Sequence, residues 1–147
     1  MTDIATALSL RGAIQRQIDG LIRAAAKNVA LLKGTDMEEN QIRNVVNLAG
    51  TTTSMEEVTN FIRYQIGRKR REWEDFGKAV IKDIESGAIT SALGVIMERV
   101  PKADPIEVRA ELTSRYLGYL NRCFVYAKKA DGWGNLSSDL ISEGGAS

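Results

Sequence analysis

Apolar residues in this chain recur at intervals of three and four, and no stretch alternates for long enough to make a strand. From Ala13 onward, Ile14, Ile18, Leu21, Ile22, Ala25, Val29 and Leu32 share one face, with Arg16, Arg23 and Lys27 opposite. This predicts a helix that stops at Gly34, after a loosely patterned lead-in over residues 1–12. Thr35 or Asp36 can cap a second, shorter helix, with Glu38 and Glu39 in its first turn and Ile42, Val45, Val46 and Ala49 on its apolar side. Gly50 to Thr53 reads as a loop.

The longest pattern follows. Ser54 with Glu57 three residues later forms a capping box. Val58, Phe61, Ile62, Ile66, Trp73, Phe76, Val80 and Ile84 then fall on one stripe. The stripe predicts one long central helix from Thr53 to about Gly87, roughly 50 Å if unbroken. Gly67 and Gly77 are its expected kinks, and Gly87 is its expected left-handed cap. Ile89, Leu93, Ile96, Met97 and Val100 continue the pattern, in a separate helix or a bent extension, up to Pro101. Asp104-Pro105-Ile106-Glu107 is the clearest helix start: a capping carboxylate, then proline where its missing N–H costs nothing. Leu112, Tyr116, Leu120, Cys123, Phe124 and Ala127 line the last helix, which Asp131-Gly132 ends. The expected architecture is all-α: a single-domain bundle of five or six helices over residues 1–130. A flexible tail over 131–147 follows, with Trp133 able to pack back.

Composition narrows the chemistry. The 147 residues contain 44% hydrophobic side chains, enough for one core, and carry a formal net charge of +1. Any affinity for a polyanion must therefore come from uneven placement of charge. The absence of histidine removes the commonest general base and most metal sites. One cysteine, Cys123, can form neither an intrachain disulfide nor a thiolate metal site, and it suits a reducing cytoplasm. Arg11 and Arg16 interrupt the early apolar pattern, against a signal peptide, and no apolar run reaches membrane-spanning length. No glycine-rich phosphate loop is present. The acidic pairs Glu38/Glu39 and Glu56/Glu57 sit in first turns, where the helix dipole explains them. The expectation is a non-enzyme without metal or cofactor.

Charge placement is more informative. From Val58 to Arg71 there is no acid, while Arg63, Arg68, Lys69, Arg70 and Arg71 crowd the segment. On the last helix Arg115, Arg122 and Lys129 recur every seven residues with no acid from Leu112 to Ala130, and Tyr119 and Tyr126 run along the same edge. Cations can contact phosphates while tyrosines stack on bases. The same rows also read as solvated faces, with Arg70–Glu74 and Arg71–Asp75 as surface ion pairs.

Three stretches carry a family likeness: Glu39-Asn40-Gln41-Ile42-Arg43-Asn44, the run from Val58 to Arg68, and Tyr116-Leu117-Gly118-Tyr119-Leu120 with Phe124 to Lys129. Over roughly residues 36–130 the chain resembles the small helical subunit of type III CRISPR effector complexes. The resemblance implies a non-catalytic subunit present in several copies. It would pack on further copies of itself and on the backbone and large subunits, and touch guide RNA and target RNA through phosphates without reading sequence. The residues it nominates are Arg43, Arg63, Arg68, Arg70, Arg71, Arg115, Arg122 and Lys129. A helical adaptor or self-assembling scaffold without nucleic-acid contact is the competing expectation.

Overall fold

The computed structural model describes residues 3–136. Every regular element among them is helical: α1 (Ile4–Gln15), α2 (Ile18–Val29), a 3-10 turn (Ala30–Leu32), α3 (Glu39–Ala49), α4 (Met55–Arg68), α5 (Arg70–Glu85), α6 (Ala88–Arg99) and α7 (Pro105–Lys129). These are seven α-helices rather than five or six. The extra ones come from two breaks that the apolar periodicity does not reveal.

The first break is at Arg16 and Gln17, which separates α1 from α2. The lead-in is fully helical, and Asp3 caps it by accepting from the Thr6 N–H at 2.6 Å. The second break overturns the long central helix. Lys69, at φ −132° and ψ 63°, is the one non-helical residue between α4 and α5. Its N–H still bonds the Gln65 carbonyl at 2.8 Å, and its carbonyl accepts from Trp73 N–H at 3.0 Å, so one residue ends one helix and starts the next. α4 and α5 fold back on each other. In a straight helix Arg63 and Glu85 would stand about 33 Å apart; here they form an ion pair at 3.3 Å. The hairpin lets the two halves of the stripe bury one another: Val58 and Ile62 on α4, Trp73, Phe76, Val80 and Ile84 on α5. Gly77 is where the helices touch most closely rather than a kink. A Cβ there would lie 2.8 Å from Ile66 Cγ1.

α7 is the element around which the rest is arranged. At 25 residues it is the longest, about 37 Å, and it packs along α2, α3 and α6. Its start is as the sequence predicts. Asp104 accepts from Ile106 N–H at 2.9 Å, with Pro105 at the first helical position. Ser54 likewise caps α4, accepting from Glu57 N–H at 3.2 Å. Neither Thr35 nor Asp36 caps α3. The Thr35 hydroxyl donates back to the Leu32 carbonyl at 2.7 Å, and Glu38 occupies the cap position with no side-chain bond. Gly34 takes the left-handed conformation, φ 81°, whereas Gly87, at φ −103°, does not; it leads into α6.

A buried polar junction ties three helices. Asn28 Nδ2 on α2 donates to Asp83 Oδ2 on α5 and to the Tyr116 hydroxyl on α7, each at 2.7 Å, and that hydroxyl donates to Asp83 Oδ2 at 2.6 Å. Burial, reinforced by the Asp83 charge, pushes the Tyr116 phenol well above its ordinary range. Arg109 on α7 adds a 2.7 Å bond to the Ile84 carbonyl near the end of α5. Cys123 is half-buried, and burial raises its thiol pKa. Beyond α7, residues 133–136 are helical. Trp133 meets Phe124 edge-on at 6.3 Å, and Leu136 is buried. The rest of the expected flexible tail, residues 137–147, lies outside the described residues.

Candidate nucleic-acid interface

Five of the eight nominated cations gather in two settings. One is the α3–α7 face. Glu39, in the first turn of α3, accepts from Arg43 four residues on and from Lys129 of α7 at 3.5 Å. The Arg43 hydrogen bond, aided by the Lys129 charge, holds the Glu39 carboxyl below its ordinary range. Farther along α7, Arg115 pairs with Glu111 at 3.1 Å. Arg122 is exposed and has no carboxylate partner among the described residues. Neighbouring Lys128 donates to the Met37 carbonyl at 2.6 Å and sits 5.5 Å from the Phe124 ring, fastening α7 to the loop before α3. The tyrosine edge is partly consumed. Tyr126 accepts from Asn135 Nδ2 at 2.9 Å, and its ring lies so close to Gly132 that a Cβ there would be 2.2 Å away. The ring nonetheless stays 45% exposed.

The other setting is the elbow between α4 and α5. Arg68, Lys69, Arg70 and Arg71 are consecutive and exposed at the point where the chain reverses. Arg70 shares Glu74 with Lys78, both at 3.3 Å, and these contacts lower the Glu74 pKa. Lys69 and Arg71 have no carboxylate partner among the described residues. The expected Arg71–Asp75 pair does not form. Tyr64 stands 54% exposed beside them. Arg68 lies 5.8 Å from its ring centroid and donates to its hydroxyl at 3.4 Å, while Phe61 stacks with it at 6.1 Å. A reversal of direction at one residue is what puts four cations and a supported, exposed aromatic ring on one corner.

Arg63 does not join them. Folding α5 back along α4 brings Glu85 against it, in a cleft that Glu56 and Glu57 also line. A phosphate there would face three carboxylates. The structure thus gathers Arg68, Arg70 and Arg71 at the elbow and Arg43 and Lys129 around Glu39. Arg63, Arg115 and Arg122 stand apart from both groups. The elbow's aromatic, Tyr64, was not nominated by the family likeness; its sequence signal is its spacing of four from Arg68 inside an acid-free run.

Among the described residues, no group of three or more histidine, cysteine, aspartate or glutamate side chains is arranged to hold a metal ion, and no helix is long and apolar enough to cross a membrane. No protein-family model, curated protein or solved structure matches the chain.

Proposed function

We propose that the chain is a non-catalytic, cytoplasmic small subunit of a type III CRISPR RNA-guided effector complex. In this reading it is a single-domain helical bundle that packs beside the backbone and large subunits and beside further copies of itself. It contacts guide or target RNA through phosphates, without reading sequence. The observation that carries the RNA contact is the elbow: Arg68, Lys69, Arg70 and Arg71 exposed around the Tyr64 ring. Four cations at one corner, with Arg70 paired to Glu74, form a local positive field that a net charge of +1 conceals. An exposed aromatic ring offers a stacking surface indifferent to base identity. The family likeness supplies the assembly.

The test is a salt titration of RNA binding by the chain alone and by the assembled effector complex. The reading expects log affinity to fall linearly with log salt concentration, with one unit of slope lost for roughly every 1.4 phosphate contacts removed. Salt-independent binding, or none in either state, would contradict it. A second reading, a helical adaptor without nucleic-acid contact, draws on the five nominated cations already paired with carboxylates: Arg43, Arg63, Arg70, Arg115 and Lys129. It predicts partner binding indifferent to nuclease.

A further inference from the structure

α1 is built differently from the other helices. Two of its four large aliphatic side chains point outward: Ile4 is 81% exposed and Leu8 62%, while Ile14 is buried and Leu10 partly so. Singly exposed aliphatics are ordinary. These two lie one turn apart on an exposed helix, beside a groove.

That groove runs between α1 and the end of α6. One part, about 370 Å³, has Ala5, Ser9, Val100 and Pro101 along its floor. A second part, about 360 Å³, shares Ser9, Arg99 and Val100 with the first and extends past Leu8 to Arg16. The charged residues lining the two are Arg16, Arg99 and Lys102, with no carboxylate. None of the three has a carboxylate partner among the described residues. Glu98, next to Arg99 in sequence, lines neither part.

We infer that this groove is a docking site for a partner protein's amphipathic helix, whose apolar stripe lies along Leu8 and the Val100–Pro101 floor and whose flanking acids meet Arg16, Arg99 and Lys102. The charge pattern selects the partner's chemistry. An apolar floor inside a one-sign rim matches a ligand with an apolar stripe and acidic flanks, and rejects a basic one. A second copy fits poorly, because a two-fold contact over this patch would set each copy's cations against their own counterparts. The surface is concave, so it receives a cylinder better than a flat bilayer. The inference uses no residue of the elbow and stands independently of the RNA reading.

The experiment pans a phage-displayed library of helical peptides, randomised at the apolar and flanking positions, against the immobilised full chain. Recovered peptides are measured by fluorescence anisotropy against the parent and against L8D, R99E and R16E/K102E. Leu8 is exposed, so L8D leaves the fold intact, with circular dichroism as the check. The expected result is enrichment of Glu and Asp flanking an apolar stripe, with binding weakened at least about tenfold by each variant. No enrichment, a neutral or basic consensus, or binding that survives all three variants would overturn the proposal. So would concentration-dependent self-association of the parent abolished by L8D, or binding of the parent to phosphatidylserine vesicles lost in R99E, since either would assign the surface to another occupant.

Discussion

The α4–α5 elbow and the α7 ridge have much the same sequence signature: an acid-free run, regularly placed cations and tyrosines at the margin. In three dimensions they diverge. On the ridge, Arg115 finds Glu111 one turn away, and Lys129 finds Glu39 from a helix ninety residues earlier. At the elbow Arg70 keeps Glu74, while Lys69 and Arg71 have no carboxylate partner among the described residues and Tyr64 is exposed. Each setting loses part of its cations to nearby acids, and among the described residues Arg122 on the ridge, like Lys69 and Arg71 at the elbow, has no carboxylate partner. An acid-free stretch of sequence therefore does not specify an acid-free surface.

The comparison breaks most severely if the hairpin is destroyed. Trp73→Ala removes a fully buried ring from the α4–α5 contact and should cost about 3–5 kcal/mol in chemical denaturation. RNA affinity should fall with it, since the elbow exists only while the two helices are folded back. Gly77→Val is a milder version. It forces Ile66, and behind it Ile62, to move, at a cost of about 1–3 kcal/mol with no loss of charge.

Tyr116→Phe attacks the α7 side. It leaves Asn28 and Asp83 without the hydroxyl between them and should cost about 1–3 kcal/mol while sparing the elbow. The same residue gives an alkaline signature. Its folded pKa is raised, so its contribution is fully present below the unfolded value of about 10 and is lost as pH rises beyond it. Denaturation midpoints should fall above that pH in the parent and fall less in Tyr116→Phe.

The smallest effect sharpens the contrast. Glu39→Gln releases Arg43 and Lys129. If ridge cations are silent because Glu39 occupies them, RNA affinity should rise, by less than about fivefold because exposed pairs are weak. Glu39 and Glu74 both have lowered pKa values. Their contribution is present above the ordinary glutamate range and disappears as pH falls through their folded values, so both settings should lose their pairs under acid.

Local chemistry made much of this legible. Ser54, Asp104 and Pro105 announce helix starts through side-chain caps and a missing N–H; the caps form, although the Ser54 N–H goes to the Thr52 hydroxyl rather than to Glu57, leaving half of the expected box. The Lys69 reversal carries no such mark: no proline is present and Gly67 stays helical. Whether a long stripe remains straight is decided by what can cover it, and here α4 folds back along α5. Thr35 had a cap's chemistry, but its hydroxyl found the Leu32 carbonyl first. Arg63 looked free because Glu85 lies 22 positions away, which is distant until the hairpin closes. Glu39's role between Arg43 and Lys129 is a tertiary coincidence that no spacing rule exposes.

The central claim is that the elbow, and not the ridge, meets RNA. It is tested by the salt dependence of binding to one single-stranded RNA oligonucleotide, measured for the parent, R68E/R70E/R71E and R43E/R115E/K129E. The account predicts that the elbow variant loses about two units of the log–log slope, as removal of three phosphate contacts requires, while the ridge variant keeps the parent's slope. An elbow variant with an unchanged slope, or a ridge variant that loses as much, would contradict it.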